Sequence, residues 1–95
     1  MRPRPELDPP VDDAPPDEER ITDYDYVHMV TYLRLLDAAS DGADWREVAA
    51  IVLHIDPEIE PLRARHVFDA HMERARWMSR SGYRHLLAGG QAGRA

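Results

Sequence analysis

The chain has 95 residues, no cysteine, a net charge of −6 and no apolar run near 18 residues. That excludes a disulfide framework, a thiolate metal site and a membrane-spanning helix. Met1-Arg2-Pro3-Arg4-Pro5 lacks the apolar stretch of a secretory signal, so the expected location is the cytoplasm.

Residues 1–20 read as a disordered acidic tail. Six of the eight prolines fall in residues 1–19, with seven acids and only Leu7 and Val11 as large aliphatics. Such a segment buries too little apolar area to offset its ordering entropy. It is a solubilising tail, or an acidic arm that contacts a partner or shields the domain's own arginines. Residues 21–90 are expected to form one all-α domain of three main helices and a short C-terminal helix, with residues 91–95 frayed. About 70 residues is close to the smallest size at which one core folds unaided. Every helix must then give one face to that core, which leaves little room for an enzyme pocket.

The first helix is expected from Thr22 or Asp23 to Ser40. Val27, Val30, Leu33 or Tyr32, Leu36 and Ala39 recur at spacings of three and four, the period of one buried face. Asp23 and Asp25 suit the positive end of the helix dipole, and Gly42 suits the left-handed residue after it. The second helix opens at Asp44-Trp45-Arg46-Glu47, an N-cap with Glu47 placed to reach back as a capping-box partner. Val48, Ile51 and Val52 supply its apolar face, and Ala49 and Ala50 permit a close crossing. It should stop near His54 or Ile55, because Pro57 disfavours helical geometry at Asp56. Pro61 suits a first helical position and starts the third helix. Ala64, Phe68, Met72 or His71, Ala75 and Met78 line one side of it. Arg65, Asp69, Glu73, Arg76 and Arg80 line another, with Arg65 and Asp69 spaced to pair. A break or bend at residues 79–82 precedes a short last helix carrying Tyr83, Leu86 and Leu87.

This order is that of a helix-turn-helix domain, with the helix from Pro61 in the recognition position. Leu62, Arg63, Arg65 and His66 then face outward near its start, where a DNA reader enters the major groove. Charge is split along the chain: residues 21–60 carry a net −7 and residues 61–95 a net +5, all from arginine. The connector before Pro61 exceeds the compact three- or four-residue turn. It also carries Asp56, Glu58 and Glu60, which oppose phosphates. These features favour a helix-turn-helix scaffold kept for protein contacts over one that binds DNA directly.

Five histidines, His28, His54, His66, His71 and His85, raise a metal site. No pair has the spacing of a metalloprotease helix, and His66 and His71 point about 140° apart on a helix. They read as solvated or capping, with His71 partly buried. Asp56, Glu58 and Glu60 read as an acidic loop rather than catalytic carboxylates. Trp45 and Trp77 divide between core volume and an interface anchor, and Trp77, off the Phe68 to Ala75 line, is the anchor candidate. No metal, cofactor or catalytic residue is expected.

Three blocks in order carry a family resemblance: Leu33-Arg34-Leu35-Leu36-Asp37-Ala38, Gly42-Ala43-Asp44-Trp45-Arg46-Glu47-Val48-Ala49 and Ser81-Gly82-Tyr83-Arg84-His85-Leu86-Leu87. Together they resemble the RovC-like DNA-binding domains, helix-turn-helix variants in regulators of horizontally transferred elements. The chain departs from that pattern at Val48, where isoleucine is usual, and in its acidic loop. A short acidic member resembles the QseM-like antiactivators. That resemblance implies binding to TraR-like quorum-sensing activators or FseA-like activators of integrative and conjugative elements. The expected partner-binding residues are Arg63, Arg65, His66, Asp69, Arg76, Trp77 and Arg80. The protein is then a monomer or weak dimer, with DNA binding as the alternative function.

Overall fold

Thr22 opens the helical part of the chain through a reciprocal capping box: its hydroxyl accepts from the Asp25 amide, while the Asp25 carboxylate accepts from the Thr22 amide at 2.8 Å. The structure, a computed structural model, describes residues 2–82. Its helices are α1 (Asp23–Val27), α2 (Met29–Ser40), α3 (Trp45–Val52) and α4 (Pro61–Trp77), and α4 runs into a π-helical turn at Met78–Gly82. No strand occurs among the described residues. The short last helix expected around Tyr83, Leu86 and Leu87 lies outside them.

The single first helix expected from the sequence is broken at His28, although neither proline nor glycine stands there. The His28 ring supplies the cause, because its Nδ1 sits 2.8 Å from the Tyr24 carbonyl that also receives the His28 amide. A side chain competing inside the helical ladder bends it. The Val27 carbonyl is taken by the Glu6 amide of the tail at 3.0 Å.

Helix α2 ends in a Schellman motif. Gly42 has φ +72, its amide donates to the Ala39 carbonyl, and the Ala43 amide donates to the Ala38 carbonyl. At α3 the Asp44 carboxylate caps the Arg46 amide at 2.9 Å, as expected, and the reciprocal box sits at Thr22 instead of Glu47. The connector of residues 53–60 passes through His54 at φ 60 and then a turn in which Asp56 accepts the Glu58 amide on its carboxylate. Pro61 is the first residue of α4.

Helix α4 packs against both α2 and α3, and α2 also meets α3. Tyr32, Leu35, Val48, Ala49, Val52, Ala64, Val67, Met72 and Ala75 form the core, joined by Leu53 and Ile55. Ala49 and Ala64, both fully buried, leave little side-chain bulk where α3 and α4 cross. The expected apolar face of α2 is rotated, with the Tyr32 alternative buried, and that of α3 holds at Val48 and Val52 but not at Ile51. On α2 the buried residues are Thr31, Tyr32 and Leu35, continuing from Asp25 and His28, while Leu33 is 60% exposed. On α3, Ile51 is 62% exposed. Asp25, His28 and Thr31 lie off the apolar face that hydropathy spacing picks out, yet all three are buried.

The main polar partner is Arg74, which sequence spacing did not single out. Its guanidinium grips Asp25 in a fork, Nε to Oδ1 at 3.0 Å and Nη2 to Oδ2 at 2.6 Å. The Tyr32 hydroxyl donates to the same carboxylate at 2.8 Å. Arg74 also donates to the Glu18 and Arg20 carbonyls at 2.6 and 2.9 Å, and its guanidinium lies 4.1 Å from the Trp77 ring centre. Burial alone would raise the Asp25 pKa, but the Arg74, Thr22 and Tyr32 hydrogen bonds hold it below the ordinary carboxylate value.

A second buried group, His71, joins the tail to α4. Its Nδ1 faces the Val67 carbonyl at 2.9 Å and so carries the proton, which leaves Nε2 to accept from the Tyr24 hydroxyl at 2.6 Å. Tyr24 in turn accepts from the Asp12 amide and stacks on His28, ring centres 3.9 Å apart. His28 Nε2 lies 2.7 Å from the Pro10 carbonyl. Residues 2–20, expected to be a disordered tail, carry neither helix nor strand but lie against the helices with Pro9 buried, because their backbone carbonyls and amides meet side chains of the helices. Among the described residues no buried side-chain nitrogen or oxygen lacks a partner. No helix among them is long and apolar enough to cross a membrane.

Two measurements check this layer. D25A strands a buried guanidinium and is expected to lower stability by about 3–5 kcal/mol in urea unfolding, with R74A of the same order. Because the folded Asp25 pKa lies below the ordinary carboxylate value of 3.8, its contribution is complete above that pH and is lost as pH falls through the folded value. The acid limb of a stability profile should therefore flatten in D25N. Burial also lowers the His71 pKa beneath 6.5, so nitrogen-15 NMR should find His71 neutral, with the proton on Nδ1, at pH values where exposed histidines charge.

Candidate interaction surface on helix α4

Pro61 at the first position and Arg74 and Arg76 in the last turn set the polarity of α4, a 17-residue helix with cations at its negative end. Ala64, Val67, His71, Met72, Arg74 and Ala75 are buried, and most of the other side chains face solvent or the tail. The seven expected contact residues do not form one face.

Arg65, Asp69, Arg76 and Arg80 do come together. All four are exposed and line an open groove of roughly 580 Å³ whose floor includes Val48, Phe68 and Met72. Arg65 Nε meets Asp69 at 3.1 Å, the pairing expected from their spacing. The Arg65 guanidinium also lies 4.8 Å from the centre of the half-buried Trp45 ring, which packs against Phe68. Arg46 approaches the same indole from α3, so two cations share one aromatic surface. Glu73 lines the groove too, so its charge is mixed along its length. His66 is exposed one turn before Ala70 and stands outside the groove lining.

Arg63 and Trp77 turn toward the tail. The Arg63 guanidinium donates to Asp13 through Nε at 3.0 Å and also meets Glu60 at 3.2 Å. Those contacts, Asp13 foremost, push its pKa further up. Trp77 is half-buried beneath Arg74 and borders a shallow hollow formed with Ala14, Pro15 and Pro16. Its exposure is less than a free interface anchor needs.

Sequence reasoning missed three residues that shape this surface. Arg74 falls in phase with Ala64, Val67 and His71 on the buried stripe, a spacing that could have marked it. Arg34 and His54 gave no such signal; both meet Asp8 of the tail, at 3.6 and 2.7 Å. No group of His, Asp or Glu able to hold a metal ion occurs among the described residues.

The surface presents a long, solvent-facing helix that follows a shorter one across a turn, with arginines in its first two turns. No curated protein matches the chain. A family model does, over residues 7–88, and its family is described as "T6SS, Transcription factor, DNA binding domain". The match takes in most of the tail as well as every helix described above, and the chain belongs to the RovC DNA-binding domain family.

Proposed function

We propose that the chain is a non-enzymatic, DNA-binding transcriptional regulator that sets the start of α4 against the major groove. The observation that carries this reading is the exposure of Arg63, Arg65 and His66 in the first two turns of α4, in a member of a family described as DNA-binding. Arginine suits the task, since its planar fork matches both phosphate oxygens and the acceptor edge of guanine. The turn carboxylates that argued against DNA are partly engaged locally. Asp56 caps its own turn, and Glu60 meets Arg63. Family membership therefore shifts the weight from protein contact, which the residues alone favoured, to DNA.

A second reading keeps the protein partner. Arg63 and Arg65 each already face a carboxylate, and Ile59 and Leu62 are exposed beside them at the start of α4. An apolar pair ringed by neutralised cations suits a polypeptide better than a phosphate backbone. On this reading the chain is an antiactivator that sequesters a TraR-like or FseA-like activator.

Fluorescence anisotropy with a labelled duplex of about 30 base pairs separates the two. The DNA reading expects binding at 50 mM salt that weakens steeply by 200 mM, with a logarithmic slope of about −3 if three to four phosphates are engaged. R65A should cost about 1–3 kcal/mol if it reads a base, or remove about one unit of slope if it holds a phosphate. Absence of binding at 50 mM, with a stable complex between the chain and a purified activator of either class, would establish the second reading instead.

A further inference from the structure

We propose that Arg34, His54 and Arg63 form a binding site for the phosphodiester backbone of a nucleic acid, and that the chain's own tail closes it with Asp8 and Asp13. The proposal rests on the DNA-binding reading and adds to it where the backbone is held and what competes for that place.

Three parts of the chain contribute one basic side chain each: α2 supplies Arg34, the connector just past the Leu53 cap of α3 supplies His54, and the first turn of α4 supplies Arg63. All three face one short piece of tail. Asp8 meets His54 at 2.7 Å and Arg34 at 3.6 Å through the same oxygen. Asp13 takes Arg63 through both Nε, at 3.0 Å, and Nη2, at 2.9 Å. His54 and Arg63 line a common hollow with Pro10 and Val11 of the tail.

The chemistry of the occupant identifies the ligand. The single Asp13 oxygen set against both Nε and Nη2 of the Arg63 guanidinium stands in for one oxygen of a phosphate. Asp8 and Asp13 lie five residues apart and engage different cations, so the tail lays down spaced anions as a phosphate chain does. His54 adds a second mark of purpose. It is the one non-glycine residue with positive φ among the described residues, a conformation that costs energy and is kept where it places a side chain. Its exposed ring reaches Asp8 from there.

The cover is built to open. The ionic contacts are made by exposed side chains on both sides, the kind of pair that contributes little and is screened by salt. The backbone around them is held differently: Pro9 is buried, the Pro10 carbonyl meets His28, the Asp12 amide meets Tyr24, and the Glu18 and Arg20 carbonyls meet Arg74. The Asp8 and Asp13 side chains can therefore turn to solvent while the tail stays docked. A tethered carboxylate competes at high effective concentration, which keeps the site shut against stray anions and lets a polyanion displace it.

The test uses the full-length chain and the same labelled duplex. D8N/D13N should bind about tenfold more tightly than the unaltered chain at 50 mM salt, with a logarithmic salt slope steeper by about 2 as the freed cations reach phosphates. Adding R34Q/R63Q to that variant should abolish the gain. D17N/E19Q changes the net charge equally without touching Arg34, His54 or Arg63 and should leave affinity within about twofold. Thermal melts of each variant confirm folding. Duplex binding by every variant with no gain in D8N/D13N, or an equal gain in D17N/E19Q, overturns the proposal and leaves the DNA reading standing. No binding by any variant overturns both.

Discussion

A buried ion pair between Asp25 and Arg74 organises the molecule. Arg74 directs four hydrogen bonds at once, two to the Asp25 carboxylate and one each to the Glu18 and Arg20 carbonyls. Asp25 in turn completes the capping box of α1 and accepts the Tyr32 hydroxyl from α2. One guanidinium thereby ties α4 to α1, α2 and the end of the tail. Isolated buried charges are costly, and a pair of this kind contributes modestly compared with apolar packing of equal volume. Its effect is geometric. Few placements of α1 on α4 satisfy all these directional bonds, so the pair selects one arrangement of a small core that Leu35, Val67 and their neighbours would otherwise fill loosely.

The same demand for polar satisfaction explains the course of the tail. A Pro-rich acidic segment has little apolar area to bury beyond Pro9 and Val11, so it docks largely through carbonyls, amides and carboxylates. Those groups meet His28, Tyr24 and Arg74 in the buried layer and Arg34, His54 and Arg63 at the surface. The kink at His28 belongs to this arrangement, since the Val27 carbonyl accepts the Glu6 amide. An element whose apolar contact is limited to a few side chains such as Pro9 and Val11 becomes part of the fold because the helices carry donors that need acceptors.

On α4 the two kinds of surface are kept apart by helical phase. The tail side presents Arg63, Arg74 and Trp77, each already engaged; the groove side presents Arg65, Asp69, Arg76 and Arg80 over an apolar floor. Net acidity of −6 makes the chain a poor general ligand for nucleic acid, so any binding to phosphate depends on where cations are concentrated. Family membership and this local concentration point the same way, against the overall charge.

Local signals were legible in the residues. Asp44 caps α3, Pro61 starts α4, Gly42 closes α2 in the left-handed conformation, and Arg65 pairs with Asp69, all as spacing and side-chain chemistry predict. The three blocks at residues 33–38, 42–49 and 81–87 likewise carried the family. Such signals are local, so the sequence by itself determined these caps and the family, but not the break between α1 and α2 at His28. Only the tertiary structure decided which faces are buried, because Asp25, His28, Thr31, His71 and Arg74 count as polar until their partners arrive from elsewhere in the chain. It alone decided the path of the tail and the meeting of Arg34, His54 and Arg63. Those contacts join residues 26 to 56 positions apart, and no periodicity along one segment encodes them.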